Sequence, residues 1–359
     1  MSKKKLNLGL IFGGRSFEHE VSLVSARAVL DALNKEKYNI KLFGITQSGN
    51  WVEGKTAKKL LKGDKIKNKG SQLPHSTKDI DVFFPILHGP FGEDGTIQGL
   101  LSTIRKPYVG SGVLGSALGM DKVSQKIIWQ NYNLPITDFI WFLKEDWEYK
   151  QKKYIKQIEE KLGYPCFVKP SNSGSSVGIS MAKDKNELIK SVYGAARYDN
   201  KILVERAVKG ARDIEVSVLG NNDPAASLPG EVIPSNEFYD YESKYIKGST
   251  KEIIPAKLSD ETITSLQSIA IKAYKLISCE GLGRTDFLIS KKDNKIFLNE
   301  INTIPGFTSI SMYPKLWQAS GLTYSKLLDK LIELAFNRFR NIGKLHFSYK
   351  PKINWHVEE

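Results

Sequence analysis

The sequence predicts a mixed α/β protein whose first unit is Rossmann-like. Residues 6–12 form a short apolar run that ends at the turn Gly13-Gly14-Arg15. The segment after the turn is predicted to be a helix, with apolar residues at Val21, Val24, Ala28 and Ala32. A strand, a glycine turn and a helix in this order open an αβ unit, in which the turn amides face a ligand at the strand ends.

Two further strands, residues 38–45 and 81–87, continue this unit, which we expect to end near Gly110. The last strand runs directly into residues 88–95, HGPFGEDG, a loop too rich in glycine and acid to be a simple connector. Glu18 and His88 both follow strands of this unit. Since such sheets bind ligands beyond the carboxyl ends of their strands, both residues are candidate site residues.

Length and composition place the chain among ordinary globular proteins. Its 359 residues predict two or three domains, and 41% hydrophobic and 26% charged residues are typical values. The formal net charge of +14 raises the alternative of a nucleic-acid or membrane-surface partner. The lysine-rich run 55–70 has no interleaved aromatic side chain, however, and we interpret it as a solvated, mobile loop.

The cysteines and the N-terminus predict a cytoplasmic protein. Cys166 and Cys279 lack CxxC spacing, so a disulfide scaffold and a zinc site are both disfavoured. The apolar run after the N-terminal lysines is too short for a signal peptide and leads to no small-residue cleavage site. No stretch approaches the roughly 20 apolar residues of a membrane span.

A lysine near a predicted helix start points to an anion. Asp121 is a plausible N-cap, and the helix after it has apolar residues at Val123, Ile127 and Tyr132. Lys122 lies in the first turn, where the helix dipole disfavours a cation. An anionic partner would explain this position, and ordinary exposure is the alternative.

Residues 164–178 suggest a nucleotide site. Lys169 lies within an apolar strand, where an unpaired lysine is uncommon, and a Gly/Ser loop containing Ser175 and Ser176 follows it. Such a loop offers amides and hydroxyls to phosphate oxygens, although it is not a Walker A sequence. Glu205, at the end of the strand 201–205, and Asp213 could contact adenine and ribose. The alternative for the loop is a flexible linker. The alternative for Glu205 and Asp213 is that both are polar residues on the protein surface.

Residues 237–251 contain three tyrosines among charges and no core periodicity, which is typical of a lid. The helix expected over residues 259–277 is instead plain core. Its apolar residues have the spacing of one helix face: Ile263, Leu266, Ala270, Ala273 and Ile277.

Residues 286–302 predict a β-hairpin with a metal site. Alternation places Asp286 opposite Glu300, with Asn302 and Leu298 on the Glu300 face. Facing carboxylates repel by up to about 1 kcal/mol unless a cation lies between them. Two carboxylates and an amide suit Mg²⁺, whereas a solvated acidic face is the alternative. Arg284 could form a salt bridge there or stabilise an oxyanion.

These parts, in this order, closely resemble the D-alanine:D-alanine ligases of the ATP-grasp superfamily over about residues 4–336. The matching stretches are GGRSFEHEVS, HGPFGEDGTIQG, GMDKVSQK, FVKPSNSGSSVG, EFYDYESKY, GRTDF and NEINTIPGFTS. The resemblance implies a Rossmann-like domain (1–112), a central ATP-grasp domain (113–209) and a C-terminal ATP-grasp domain with the metal site (210–340). A tail (341–359) lies beyond it, and a homodimer is the family expectation.

The resemblance also implies how ATP and metal are bound. ATP lies between the central and C-terminal domains, with Glu205 near adenine and Asp213, where many relatives have glutamate, near ribose. Two Mg²⁺ ions, for which Mn²⁺ can substitute, are held by Asp286, Glu300 and Asn302, with Glu300 bridging. The residues implied at the phosphates are Lys122, Lys169, Ser175, Ser176 and, closing over the γ-phosphate, Lys244.

The implied reaction is an acyl-phosphate ligation that supplies peptidoglycan synthesis. One D-alanine carboxylate attacks the γ-phosphate of ATP, and the amine of a second D-alanine displaces phosphate from the D-alanyl phosphate. Arg284 and the Gly306 amide form the oxyanion site, and Ser311 receives the second alanine. Glu18 anchors the ammonium group of the first alanine and His88 lies near its carboxylate.

The lid residue Tyr245 bears on specificity. The resemblance groups it with Glu18 and Ser175 in a hydrogen-bonded set that closes the lid. Relatives that use D-lactate tend to lack this tyrosine, so its presence favours an amine nucleophile. D-lactate or D-serine as second substrate remains the alternative within the family, and a basic nucleic-acid-binding protein on a ligase fold is the alternative outside it.

Overall fold

The computed structural model describes residues 4–66, 70–75, 77–233 and 251–349. Within these ranges the strands form three sheets, which follow one another along the chain. No helix in these ranges is long and apolar enough to cross a membrane. The predicted mixed α/β class is confirmed.

The N-terminal sheet has the strand order β3-β2-β1-β4. Its strands are β1 (Leu6–Gly13), β2 (Tyr38–Ile45), β3 (Trp51–Glu53) and β4 (Val82–Pro85), and its helices are α1 (His19–Ala32), α2 (Gly54–Leu61) and α3 (Thr96–Thr103). β1 is parallel to β2 and β4, as the Rossmann-like prediction requires, and β3 adds an antiparallel edge. The carboxyl ends of the parallel strands therefore lie on one side, beside the start of α1.

The predicted apolar stripe of α1 is confirmed at Val21, which is buried, but is wrong at Val24. Val24 is 45% exposed, whereas Ser22 and Ser25 are fully buried. Ser22 donates to the Ile86 carbonyl and accepts from the Gly13 amide, and the Ser25 hydroxyl lies 2.9 Å from Nε2 of His88. The two serines can be buried because their hydroxyls form hydrogen bonds inside the protein, so the buried face of α1 differs from the face that the apolar residues predicted.

The loop prediction for the lysine-rich run is also wrong over residues 55–61, which belong to α2 (Gly54–Leu61). Ala57, Leu60 and Leu61 are buried in the core of the N-terminal unit. Their spacing is that of one helix face, and the lysines of α2 on the other side, Lys55, Lys58 and Lys59, are exposed. Residues 67–69 of the same run lie outside the described ranges.

The central sheet is antiparallel, with the order β5-β8-β6-β7. Its elements are β5 (Phe139–Leu143), α6 (Lys144–Lys161), β6 (Cys166–Pro170), β7 (Ser180–Ala182), α7 (Lys185–Ala195) and β8 (Lys201–Arg206). α6 and α7 pack on one face of the sheet, against Val168 and Val204. Strand alternation then places Lys169 and Glu205 on the opposite face.

The C-terminal sheet has the order β12-β11-β9-β13-β14, with β10 paired to β9. Its strands are β9 (Ala211–Gly220), β10 (Ala225–Ala226), β11 (Gly230–Ile233), β12 (Lys251–Ile253), β13 (Gly281–Ser290) and β14 (Ile296–Asn302). Helix α8 (Asp260–Leu276) covers one face. Four of the five predicted core positions, Leu266, Ala270, Ala273 and Ile277, are fully buried, whereas Ile263 near the helix start is only partly buried. The other face carries the polar side chains of the candidate site.

Helices from elsewhere in the chain complete these units. α4 (Val113–Met120) and α5 (Lys122–Asn131) precede the central sheet, yet α4 contacts β14 and Trp129 of α5 lies in the core of the C-terminal sheet. After β14 come α9 (Met312–Ala319) and α10 (Tyr324–Ile342). Leu327 and Leu331 of α10 share a core with Phe84 of the N-terminal sheet. Helices that are adjacent to one unit in the chain thus pack into the core of another.

The predicted hairpin register is confirmed, with one irregularity. Asp286 is the Cα partner of Glu300, but Phe287 pairs with Leu298, so Asn299 forms a β-bulge. The extra residue turns Leu298 into the core beside Phe287, and the prediction that Leu298 shares the Glu300 face is wrong.

Candidate active site

Three neighbouring strands present a row of carboxylates. Glu215 on β9, Asp286 on β13 and Glu300 on β14 are cross-strand partners. Asp213 lies on the Glu215 face of β9, two residues away. This face is polar because the alternate residues of the same strands fill the core under α8.

Arg284 compensates much of this negative charge. Its Nε and Nη2 donate to the two oxygens of Asp286, each at 2.7 Å, and Nε lies 3.0 Å from Oε2 of Glu215. The Asn302 amide donates to Oδ2 of Asp286 at 3.0 Å. The structure therefore shows Arg284 in a partly buried salt bridge, one of the two roles considered for it.

The donor set suits a hard divalent cation. Asp286, Glu300 and Asn302 offer carboxylate and amide oxygens from adjacent strands. Among the described residues, no three His, Cys, Asp or Glu side chains are grouped so that they could hold a metal ion by themselves. Mg²⁺ is commonly bound by one or two carboxylates together with substrate phosphates, so the residues present fit such an ion.

The start of α5 brings a lysine to this row. The predicted N-cap is confirmed, because Asp121 accepts from the Ser124 amide at 2.8 Å. Lys122 is buried, donates to the Ser173 carbonyl at 2.6 Å and lies 3.3 Å from Oε2 of Glu300. An anion thus accounts for this cation in the first turn. The predicted apolar face of α5 is wrong beyond Val123, since Ile127 and Tyr132 are exposed.

A second lysine of α5, which the sequence analysis missed, forms a buried charge cluster. Lys126 is 1% exposed and pairs with Oε1 of Glu205, while Lys169 pairs with Oε2. Burial alone would raise the pKa of Glu205, but the two ammonium groups lower it to about 2. Burial lowers the pKa of Lys126. Lys126 lies four residues after Lys122 and three before Trp129, so helical spacing places all three on one face. This spacing is the sequence signal that could have predicted a buried Lys126.

Lys169 connects the two sheets. Besides its Glu205 pair, it donates to Oδ1 of the bulged Asn299 at 3.3 Å. Burial lowers the pKa of Lys169, but the charges of Glu205, Glu300 and Asp213 outweigh burial, so the pKa is raised. A charged ammonium group therefore lies between the central sheet and the carboxylate row.

The Gly/Ser loop reaches the N-terminal unit. Ser175 and Ser176 have φ values of 48° and 60°, a left-handed conformation that is uncommon for residues other than glycine. The Ser175 hydroxyl donates to Glu18, which is buried at the start of α1. A Cβ on Gly174 would lie 2.5 Å from Oε2 of Glu18. The Glu18–Ser175 part of the predicted set is thus present, while Lys244 and Tyr245 lie outside the described ranges.

His88 is directed into the protein. Its Nδ1 lies 3.0 Å from the Ile304 carbonyl and its Nε2 lies 2.9 Å from Oγ of Ser25. Since a carbonyl only accepts, Nδ1 carries the proton and Nε2 accepts from Ser25. Burial lowers the pKa of His88 to about 4, so the ring is neutral at pH 7. Both ring nitrogens are therefore engaged in hydrogen bonds within the protein.

Glu93, in the same loop, was also missed. Its Oε1 accepts from the Gly89 amide at 2.8 Å and its Oε2 accepts from the Ile304 amide at 3.2 Å. The loss of water around this carboxylate, followed by the charge of Glu18, raises its pKa to about 8. The acid-rich glycine loop was noticed in the sequence, but no pattern there singled out Glu93.

The loop after β14 brings Gly306 and Ser311 together. The Ser311 hydroxyl accepts from the Thr308 amide at 3.1 Å and lies 2.8 Å from Oγ1 of Thr308. A Cβ on Gly306 would be 3.1 Å from Oγ of Ser311. A backbone amide and a hydroxyl therefore adjoin at the end of the polar face.

Known proteins are similar in sequence to this chain along most of its length. A family model of the D-ala D-ala ligase N-terminus matches residues 7–111, and one of the D-ala D-ala ligase C-terminus matches residues 128–333. A D-alanine–D-alanine ligase from Chloroherpeton thalassium is 46% identical over 361 residues, covering 94% of this chain and 98% of that protein. One from Clostridium acetobutylicum is 48% identical over 340 residues, covering 93% and 99%.

Solved structures agree with these relatives. The D-alanine-D-alanine ligase from Coxiella burnetii has a TM-score of 0.82 and 35% identity, covering 95% of this chain and 97% of that one. A D-Ala:D-Ser ligase from Enterococcus faecalis has a TM-score of 0.81 and 34% identity, covering 92% and 100%. Together with the two family models, these matches show that the chain belongs to the D-alanine–D-alanine ligase family and has its ATP-grasp fold.

Proposed function

We propose that this protein joins two D-alanine molecules into D-alanyl-D-alanine, with ATP and a divalent metal, for peptidoglycan synthesis. The observation that carries the proposal is the meeting of buried cations and carboxylates between two sheets. Lys122 lies 3.3 Å from Glu300, and Lys169 bonds to Asn299 beside it. The lysines would attract the oxygens of a triphosphate, and the carboxylates would attract its metal ions, so binding would add no net repulsion to the site.

The nucleotide would lie between the central and C-terminal sheets. We assign its phosphates to Lys122, Lys169 and the loop that carries Ser175 and Ser176, and the γ-phosphate also to Lys244 of the predicted lid. Glu205 is assigned to adenine and Asp213 to ribose. In support, Lys169 and Asp213 interact across the space between the sheets, since the charge of Asp213 contributes to the raised pKa of Lys169.

Asp286, Glu300 and Asn302 would hold the divalent metal, Mg²⁺ or in its place Mn²⁺. When bound, the metal neutralises phosphate charge during transfer. Asp286 is held here by Arg284 through two hydrogen bonds. A metal at Asp286 would compete for the same oxygens and free the guanidinium for an oxyanion.

The alanines are assigned to the surface that joins Glu18 to the loop after β14. Glu18 anchors the ammonium group of the first alanine, whose carboxylate attacks the γ-phosphate. Ser311 receives the second alanine, whose amine attacks the acyl carbon, and phosphate leaves. We assign the stabilisation of the oxyanion formed on the way to the Gly306 amide and to Arg284, once a metal has replaced Arg284 at Asp286.

The test measures phosphate release with Mg-ATP and D-alanine against L-alanine, with the product identified by mass. We expect release with D-alanine only, together with the D-alanyl-D-alanine dipeptide. D-serine and D-lactate are then added as competitors, because one similar structure is a D-Ala:D-Ser ligase. A mixed dipeptide or an ester formed in preference to D-alanyl-D-alanine at neutral pH would overturn the assignment of the second substrate.

Compartment and assembly complete the proposal. ATP as co-substrate and two buried free cysteines support action in the cytoplasm. A homodimer is the family expectation, and sedimentation equilibrium would test it. The charge of +14 is assigned no nucleic-acid role, and only weak binding to DNA that falls steeply with salt is expected.

A further inference from the structure

His88 and Glu93 hold the two polar backbone groups of one residue. The Ile304 carbonyl accepts from Nδ1 of His88 at 3.0 Å, and the Ile304 amide donates to Glu93 at 3.2 Å. Ile304 itself is 4% exposed. When both the N–H and the C=O of a residue are held in this way, its backbone cannot be displaced or rotated without the loss of a buried hydrogen bond.

The fixed residue lies at a sensitive position. Ile304 is two residues after Asn302 and two before Gly306, so it joins the proposed metal ligands to the proposed oxyanion amide. Oxyanion donors stabilise a transition state only when they are correctly placed beforehand, and a misplacement of about 1 Å can cost roughly 100-fold in rate. Whatever holds Ile304 therefore also determines where the Gly306 amide points.

The loop that contains His88 and Glu93 also approaches the site proposed for the first alanine. Glu93 also accepts from the Gly89 amide, and a Cβ on Gly89 would lie 2.5 Å from Oε2 of Glu18. The loop that holds Ile304 is thus packed directly against the proposed anchor of the first alanine. The order of contacts is Glu18, Gly89, Glu93 and Ile304.

We propose that His88 and Glu93 are positioning residues that clamp the Ile304 backbone and so align the Gly306 amide with the acyl group held at Glu18. His88 then serves peptide formation through the protein backbone and does not bind the substrate carboxylate. This inference rests on the proposed function. It predicts that loss of the clamp impairs the second step, attack by the amine, more than the first, phosphoryl transfer.

Two substitutions at His88 test the roles of Nδ1 and Nε2 separately. The amide nitrogen of asparagine lies near the position of Nδ1, so His88→Asn keeps a donor to Ile304. The amide nitrogen of glutamine lies near Nε2, so His88→Gln keeps a contact to Ser25 and loses the bond to Ile304. Glu93→Gln loses one of its two acceptors, because its NH₂ group meets an N–H.

A matched control lies next to Glu93. Asp94 also accepts two backbone N–H groups, from Phe91 at 2.8 Å and Thr96 at 3.0 Å, but neither belongs to the loop after β14. Asp94→Asn therefore perturbs the same loop to a similar degree without touching Ile304. Melting temperatures identify any variant that does not fold, and each of the two clamp residues provides an independent test.

The readout is the amount of phosphate released per dipeptide formed, with Mg-ATP and D-alanine. We expect near-equal amounts for the unmodified protein, His88→Asn and Asp94→Asn. For His88→Gln and Glu93→Gln we expect dipeptide formation to fall by roughly 10- to 100-fold while phosphate release falls less, because the acyl phosphate is lost to water.

Other outcomes would overturn the inference. A purely structural defect would lower both products together and leave their ratio unchanged. Direct binding of the alanine carboxylate by His88 would raise the KM for D-alanine in both His88 variants, again at constant ratio. If the unmodified protein forms no dipeptide, the proposed function fails, whereas an active protein with unchanged ratios in the variants refutes the clamp alone.

Discussion

Removal of Lys126 tests the buried charge cluster most directly. Lys126 is 1% exposed, pairs with Glu205 and lies 3.3 Å from the Thr137 hydroxyl. Breaking a buried ion pair by removing one partner costs about 3–5 kcal/mol, because a charge remains buried. In Lys126→Met, Glu205 keeps Lys169, so we expect a loss at the lower end, about 3 kcal/mol in the free energy of unfolding.

The same substitution should weaken ATP binding. Lys169 would become the remaining cation at Glu205 and would be held there more strongly. Its release towards a phosphate would then leave Glu205 buried without a partner. If this costs about 1.4 kcal/mol, the KM for ATP rises by roughly 10-fold, whereas the KM for D-alanine changes little.

The assay is urea unfolding at pH 7 together with steady-state kinetics. Lys156→Met is the control, because its ammonium group is 3.7 Å from Glu160 and the side chain is 75% exposed. An exposed pair of this kind contributes about 0.5 kcal/mol or less. A stability loss in Lys126→Met no larger than in Lys156→Met, or an unchanged KM for ATP, would refute the role given to Lys126.

Three further predictions concern other parts of the protein. Glu300→Gln should abolish turnover with an unchanged melting temperature, and near-normal activity would contradict the metal assignment. Burial lowers the pKa of His88 to about 4, so the folded state resists protonation of His88 and loses stability relative to the unfolded state as the pH falls below about 6.5. The change in unfolding free energy between pH 7 and pH 5, measured by urea unfolding, should therefore be less favourable in the unmodified protein than in His88→Asn by about 2 kcal/mol, a difference in which the contribution of Glu93 cancels. Gly174→Ala should lower activity at least 10-fold, since the new Cβ would be 2.5 Å from Glu18. Gly194→Ala, with no atom within 4 Å of its Cβ, should be fully active and slightly more stable, and equal effects of the two would argue against the Gly174 contact.

The features that could be predicted from sequence depend on local spacing. The pairing of Asp286 with Glu300 follows from strand period and turn position, and the Asp121 cap and the core face of α8 follow from residues within a few positions. Period and capping act between neighbours in the chain, so their pattern is complete in the sequence. The order of the motifs also identified the family.

The remaining features arise from partners that are distant in the chain. Lys126 meets Glu205 and His88 meets Ile304 because three sheets pack together, and no local rule selects these pairs. Ser22 and Ser25 are buried in α1 only because the Ile86 carbonyl and the His88 imidazole, which follow β4, accept hydrogen bonds from their hydroxyls. Spacing along the chain determined which residues could carry charge, and only the tertiary structure decided which of those charges are neutralised inside the protein, since desolvation and pairing depend on what packs against each group.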